Sequence, residues 1–204
     1  VQKAIEFLND SLQSLVDGRV HIDKLALTRA LRSNYKNPMQ IAHKVLAERV
    51  GEREPGNKPK PGDRVKYAFI ENKGQKLLGD RVETLDFIAK NKIPLDYHYY
   101  ITNQLMNPLL QLFSLGLDKV YKYKKMKQKQ IIELHSILDQ MYQDCDGLIE
   151  PYMKKREKYC SAEVKRLLFE PFLVKIYNNQ HGIRTLKQFW GWGWGNLKVP
   201  PHPL

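Results

Sequence analysis

Several familiar patterns are missing from this 204-residue sequence. No uninterrupted apolar run approaches the roughly 18 residues that a membrane-spanning helix needs, and no charged-then-apolar leader opens the chain. We therefore expect an intracellular protein with no membrane partner. The chain begins at Val1 rather than Met, inside an amphipathic pattern, which predicts that it is part of a longer polypeptide.

Cysteine is scarce, with only Cys145 and Cys160 and no CxxC pair. A structural zinc site needs a full set of Cys and His ligands, and none of the six histidines belongs to an HExxH or HxxxH pattern. The sequence therefore predicts no metal site, and it predicts that the two thiols are buried or idle.

Negative charge is also in short supply. The 34 Lys and Arg residues outnumber the 22 Asp and Glu residues, giving a net charge of +12 and a pI near 9.6. This excess predicts a polyanionic partner. Nucleic acid is favoured because the basic residues are spread along the chain and mixed with Tyr, instead of lying on one membrane-surface helix. The alternative is a solvated basic surface with no specific role.

Apolar periodicity predicts a predominantly helical α+β fold. Helical spacing is found over residues 1–16, 39–50, 85–89, 96–113, 131–141 and 163–176. The first helix should end at Gly18 in a left-handed cap, and Asn37-Pro38 should open the second. Alternation over residues 65–70 predicts a strand, and a weaker alternation over residues 20–27 predicts another. Residues 51–62, rich in Gly and Pro, should form a surface loop.

The longest predicted helix begins at Asp96, a good N-cap residue. Pro108 should kink this helix or divide it in two, because proline removes a backbone donor and crowds the preceding turn. We expect Tyr100 to pack in the core.

Two blocks of this sequence carry a recognisable series of motifs. The first is AERVGEREPGNKPKPGDRVKYAFI at residues 47–70, with a helix ending E-R, a P-G loop and G-D-R-V. This block resembles the thumb region of family B DNA polymerases. The second, at residues 81–113, is similar to the family pattern I-D-x-x-Y-Y-x-x-x-Q-x-x-x-P-L-x-x-x-F. Its matching positions are Leu95-Asp96, Tyr99-Tyr100, Gln104, Pro108-Leu109 and Phe113.

An earlier stretch also fits this family. Ile22-Asp23-Lys24-Leu25 and Thr28-Arg29-Ala30-Leu31 resemble the segment that leaves the palm, and the resemblance covers residues 1–115. One departure is Lys66, where the family commonly has Pro after G-D-R-V. The cellular delta enzymes carry two cysteine-rich metal modules, which this chain lacks, so a large DNA virus enzyme is the better match.

The resemblance implies a polymerase thumb-type domain at residues 1–116, a basic helical extension at 117–180 and a flexible tail at 181–204. The family's catalytic carboxylates lie in palm motifs of the SLYPS and YGDTDS kind, and neither string occurs here. We therefore predict no catalytic residue and no cofactor in this chain, with Mg²⁺ expected in the missing palm. Asp144 and Asp146 are interpreted as an exposed helix end.

A thumb grips the primer-template duplex through its phosphate backbone, which requires Lys and Arg at phosphate spacing. The predicted DNA contacts around G-D-R-V are Arg49, Arg53, Lys58, Lys60, Arg64 and Lys66. The lysine run at residues 119–129 adds Lys122, Lys124 and Lys125. Two alternatives remain: Arg64 pairs structurally with Asp63 or Glu52, and the lysine run is a solvated helix face.

Residues 183–190 resemble a sliding-clamp peptide, with Leu186, Phe189 and Trp190 as the hydrophobic plug and Ile183 in place of Gln. The alternatives are a terminal hydrophobic turn docked on its own domain and a tail altered after Trp190 by a shift of reading frame.

These observations predict the C-terminal part of a DNA-directed DNA polymerase, acting where viral or nuclear DNA is replicated. Its expected partners are duplex primer-template DNA, the palm of the same polymerase and a sliding clamp. The alternative is a stand-alone, non-catalytic protein derived from such a polymerase that binds DNA or a clamp.

Overall fold

The computed structural model of this chain describes residues 1–71, 74 and 77–183. Its α-helices are α1 (Gln2–Val16), α2 (Ile22–Leu25), α3 (Ala42–Arg53), α4 (Leu85–Asn91), α5 (Tyr97–Tyr99), α6 (Asn107–Ser114), α7 (Leu117–Tyr123), α8 (Gln128–Gln143), α9 (Ile149–Val164) and α10 (Glu170–Gln180). Its strands are β1 (Leu27–Ala30), β2 (Arg64–Phe69) and β3 (Val82–Glu83). The predicted class, α+β and predominantly helical, is confirmed.

Helix α1 forms where it was predicted, because apolar residues recur on one face. Ile5, Leu8, Leu12 and Leu15 are all buried. The helix closes at Gly18, whose φ of +65° is readily adopted by glycine.

The three strands form an antiparallel sheet in the order β1-β2-β3. Strand β2 confirms the predicted strand, with Val65 and Tyr67 buried and Arg64 and Lys66 exposed, but the alternation ends at Tyr67 because Ala68 and Phe69 are both buried. Residues 64 and 66 therefore share the outward face of the sheet.

The weaker strand prediction, over residues 20–27, is wrong for most of its length. The chain forms the short helix α2 there, and the strand begins only at Leu27. A local contact explains the difference, since the His21 ring accepts a hydrogen bond from the Asp23 backbone N–H at 3.3 Å and caps the turn.

The boundaries around α3 also differ from the prediction. Asn37-Pro38 opens a single 3₁₀ turn, Pro38–Gln40, before α3 begins at Ala42. Helix α3 then continues through Gly51 to Arg53, so the surface loop starts later than composition predicted.

Two long helices each contain a π-helical segment just before a proline. Tyr100–Met106 joins α5 to α6 ahead of Pro108, and Lys165–Phe169 joins α9 to α10 ahead of Pro171. A proline ring crowds the carbonyl of the preceding turn, and a widened turn is one way to relieve that crowding. The predicted division at Pro108 therefore takes the form of a wider turn in a continuous helix.

The two interrupted helices pack antiparallel, with α6 against α9 and α5 against α10. Helix α1 packs against α7 and α10, and α7 also packs against α9. Buried residues from both sides of position 116 join one hydrophobic core, including Leu12, Phe113, Cys160, Leu168 and Phe172. Both thiols are buried, as predicted.

None of the helices within the described ranges is long and apolar enough to cross a membrane.

Candidate nucleic-acid interface

Strands β1 and β2 form a ribbon whose outward face is basic. Arg64 lies opposite Ala30, and Lys66 lies opposite Thr28. Lys66 Nζ is 2.8 Å from Asp23 Oδ1, and this hydrogen bond is the main cause of the lowered pKa of Asp23. Arg64 is exposed and has no ion pair with any residue that the structure describes.

The turn leading into β2 is held by its own backbone. Leu31 N–H donates to Asp63 O, and Gly62 N–H donates to Leu31 O, both at 2.8 Å. The Asp63 carboxylate accepts the Lys60 backbone N–H at 2.7 Å. The Asp63 carboxylate is therefore bound to the backbone of the turn. The Lys60 and Arg64 side chains are exposed. The alternative pairing of Arg64 with Asp63 or Glu52 does not occur among the described ion pairs.

Two arginines beside this turn, Arg29 and Arg32, were not among the predicted DNA contacts. Both are exposed, and neither forms an ion pair within the described residues. A signal was available: residues 24–47 contain five Lys and Arg residues and no Asp or Glu. We call Arg29, Arg32, Lys60 and Arg64 the ribbon cluster.

The loop after β1 is tied to α3 through Tyr35 and His43. The Tyr35 hydroxyl accepts the Arg32 backbone N–H at 2.8 Å and lies 3.0 Å from His43 Nε2. Burial lowers the pKa of His43, and the charges of Arg29 and Arg32 lower it further. The contacts of Tyr35 with His43 and with the Arg32 backbone hold the loop that carries Arg32 against α3.

Two of the predicted DNA contacts, Arg49 and Arg53, lie in an internal ion-pair network. Arg49 Nη1 is 3.1 Å from Glu83 Oε1, and Arg53 Nη2 is 2.9 Å from Glu83 Oε2. The Glu83 side chain is only 5% exposed. Arg53 also lies over the Phe87 ring, with its guanidinium carbon 3.9 Å from the centroid. These contacts hold α3 against β3 and α4. The Arg49 and Arg53 guanidinium groups therefore have fewer N–H donors free to contact DNA.

Arg49 also binds the turn before β3. It donates to Gly79 O at 2.6 Å and to Val82 O at 2.9 Å. Gly79 packs so closely on α3 that an added Cβ would lie 2.6 Å from the Cβ of Val45.

Lys58 is exposed and paired with Glu48, which Lys44 also contacts. Hydrogen bonds from the two lysines lower the pKa of Glu48. Lys58 is therefore ion-paired, whereas Lys60 forms no ion pair with any residue that the structure describes.

The lysine run divides between two helices. Lys122 is exposed in α7, Lys125 is exposed at a φ of +52° in the turn that follows, and α8 begins at Gln128. Lys124 is half-buried, and burial lowers its pKa. Lys122 and Lys125 can therefore face a polyanion more readily than Lys124.

In the second family-like block, residues 81–113, several side chains form hydrogen bonds or ring contacts within the fold. Asp96 caps α5 by accepting the Tyr99 N–H at 2.8 Å, as predicted, and also binds Arg81 at 2.8 Å. Tyr99 stacks on Phe69 at 3.7 Å between centroids. Tyr100 is buried, as predicted, and its hydroxyl accepts the Phe69 N–H at 2.8 Å. Burial raises the pKa of Tyr100 to about 12.

Within the described residues, no group of three or more His, Cys, Asp or Glu is placed to hold a metal ion. These described side chains therefore do not fit a catalytic Mg²⁺ site. Asp144 and Asp146 are exposed and follow α8, as predicted. The predicted clamp residues Leu186, Phe189 and Trp190 lie outside the described residues.

A family model described as DNA polymerase family B matches residues 1–115. The chain belongs to DNA polymerase family B. The match contains β1, β2, β3 and the ribbon cluster, and it ends just after α6.

Relatives of this family B chain come from viruses and from cells. A DNA polymerase of Pyramimonas orientalis virus is 41% identical over 91% of this chain, and a DNA polymerase of Acanthamoeba polyphaga mimivirus is 37% identical over 65%. The DNA polymerase delta catalytic subunit of Caenorhabditis elegans is 34% identical over 55%. This chain spans only 15%, 8% and 10% of their respective lengths.

Proposed function

We propose that this chain is the thumb of a family B DNA polymerase and grips the primer-template duplex through its phosphate backbone. The observation that carries the proposal is the ribbon cluster, four exposed basic residues without ion pairs among the described residues. Family membership supports the assignment, since a polymerase must hold duplex DNA of any sequence. Contacts to phosphate meet that requirement because they read no base edge.

The position of the cluster supports a backbone grip. The hydrogen bonds between Leu31 and residues 62–63 hold the end of β1 beside the turn into β2. These bonds hold the backbone that carries Arg32 next to the backbone that carries Lys60 and Arg64, which limits the entropy that is lost when the cluster binds a ligand. Lys122 and Lys125 remain proposed as further contacts.

The test is duplex binding measured by fluorescence anisotropy. The triple variant Arg32→Glu, Lys60→Glu and Arg64→Glu should weaken binding by about tenfold or more and flatten the salt dependence by about 0.9 for each phosphate that the variant no longer binds. The control, Lys3→Glu, Lys155→Glu and Lys158→Glu, makes the same change of net charge at exposed positions of α1 and α9. Equal weakening by both variants would mean that only net charge matters and would contradict the site.

A second test concerns the parent protein. The reading frame upstream of Val1 should encode the palm carboxylate motifs in frame. A stop codon directly upstream, with no such motifs, would favour the stand-alone binding protein instead.

A further inference from the structure

Charge is unevenly distributed in the C-terminal half of the chain. Residues 130–153 contain no Lys or Arg, although the whole chain has a net charge of +12. The acidic residues of this stretch are Glu133, Asp139, Asp144, Asp146 and Glu150. Residues 184–204 show the opposite bias, with Arg184, Lys187 and Lys198 and no acid. The same 21 residues contain all three tryptophans of the protein, Trp190, Trp192 and Trp194.

The outer face of α8 is open in the described structure. Six side chains at helical spacing line a shallow groove along it: Ile132, His135, Ser136, Asp139, Gln140 and Gln143. Ile132 is 59% exposed, whereas Leu134 is buried in the core. The groove therefore offers an apolar side chain and the Asp139 carboxylate to a partner.

We propose that residues 184–204 dock along this face of α8 in the same molecule. The aromatic residues would cover Ile132, and the basic residues would lie near Asp139. This inference is independent of the DNA-binding proposal. It assigns an occupant to residues 130–153, which are unsuited to a polyanion because their five acidic residues would repel phosphates.

The chain can reach the groove. Helices α8 and α9 form a hairpin, with Tyr142 packed on Tyr152 at 5.3 Å between centroids. The hairpin places one end of the groove beside α9 near residue 163 and the other end beside α9 near residue 151. At about 1.5 Å of rise per helical residue, these two points lie roughly 25 and 45 Å from the end of α10. A 21-residue segment spans up to about 70 Å when extended.

Attachment favours docking within one molecule over docking between two copies. A tethered segment is present at an effective concentration of the order of millimolar, which a second copy reaches only in concentrated solution. Weak contacts such as an exposed aliphatic side chain and a surface carboxylate can then be occupied.

Tryptophan fluorescence tests the proposal, because all emission arises from residues 190, 192 and 194. The intact 204-residue chain should emit at a shorter wavelength than the denatured chain, and acrylamide should quench it less. The double variant Ile132→Asp and Asp139→Lys should shift the emission to longer wavelength and increase quenching. Emission typical of exposed tryptophan in the unmodified chain would overturn the proposal.

The control variant is Phe7→Asp, which places a carboxylate at a residue 75% exposed on α1. It should leave the emission unchanged, and circular dichroism should show that both variants fold. A shift with Phe7→Asp and none with the α8 variant would overturn the proposal and place the segment elsewhere. Disappearance of the short-wavelength emission on dilution would indicate docking between copies and would overturn the intramolecular form.

Titration in trans gives a second measurement. A peptide of residues 184–204 should bind the chain shortened to residues 1–183, and the α8 variant should weaken that binding about tenfold, since a charge then replaces an apolar contact. Equal affinity for both forms would contradict the assignment of the groove.

Discussion

Asp96 holds together three segments that are distant in the sequence. One carboxylate oxygen caps α5, the other binds Arg81, and the backbone N–H donates to Phe69 O at 3.0 Å. A buried carboxylate is stable only when it is paired and hydrogen-bonded, and Asp96 meets both conditions. Its neighbour Tyr100 binds the same strand through its hydroxyl group. The family-like block at residues 95–100 therefore positions β2, on which Arg64 lies.

Tyr100→Phe should destabilise the fold without changing the ribbon cluster. Removal of the hydroxyl leaves the buried Phe69 N–H without its acceptor, which typically costs about 1–3 kcal/mol. Urea denaturation of the variant and the parent chain measures the difference. An unchanged free energy of unfolding would show that the N–H finds another acceptor.

Arg49→Ala should also act on stability. The change removes hydrogen bonds to Gly79 O and Val82 O and one of the two arginines that bind Glu83. Removal of one partner from a fully buried ion pair costs about 3–5 kcal/mol. Because Arg49 is 26% exposed and Arg53 still pairs with Glu83, the loss should lie below that range. Arg64→Ala, by contrast, should leave the free energy of unfolding within about 0.5 kcal/mol while weakening duplex binding. The reverse pattern would return Arg49 to the DNA interface and remove Arg64 from it.

At the scale of elements, sequence patterns located α1 and the central strand β2 because burial alternates with period 3.6 or 2 there. The Asp96 cap was predicted from the preference of Asp for the N-cap position. Most of α9 (Ile149–Val164) lies outside the stretches predicted to be helical. Residues 20–27 were mistaken for a strand because the cap from His21 to Asp23 is a local hydrogen bond that apolar spacing does not reveal. Apolar spacing also does not show that the chain relieves the crowding at Pro108 and Pro171 through a wider turn.

The candidate site was only partly predictable for a similar reason. Arg49, Arg53 and Arg64 look alike in the sequence, since each is a basic residue near the G-D-R-V motif. Only the structure shows that Glu83, 30 or more positions away, is buried beside the first two. Arg32 could have been found from the acid-free stretch in which it lies.

The loop between β1 and α3 should loosen at low pH. His43 has a pKa below its usual value of 6.5 in the folded chain, so protonation favours the unfolded state. Stability should therefore be fully present above about pH 6.5 and fall as the pH drops below it. The measurement is the melting temperature between about pH 7.5 and about pH 5, compared with His43→Gln, which cannot titrate. The same decrease in both chains would assign the effect to other groups.

At the scale of the whole molecule, the hydrophobic core continues across residue 116. Helices α1 and α6, from the part that matches the family model, pack against α10 and α9 from the part beyond it. The match to the Pyramimonas orientalis virus polymerase covers 91% of the chain and so extends into this second part. The boundary predicted at residue 116 is therefore a boundary of sequence resemblance that one shared core spans.

Thermal unfolding should accordingly be a single transition, with equal calorimetric and van't Hoff enthalpies. A chain ending at residue 116 should fail to fold, because the buried faces of α1 and α6 would be exposed to water. Two separate transitions in the intact chain, or a stable shorter chain, would show that the parts fold independently.

The close approach of Gly79 to Val45 has a consequence for how these polymerases diverge. A side chain at position 79 would push α3 away from the turn that Arg49 binds, so the two positions cannot change freely one at a time. A larger residue at 79 should be tolerated only together with glycine at 45, because the nearest atom, 2.6 Å away, is the Val45 Cβ, which every residue except glycine keeps. Positions 45 and 79 should therefore covary in an alignment of many viral polymerases, because the close contact between the helix and the turn restricts both residues.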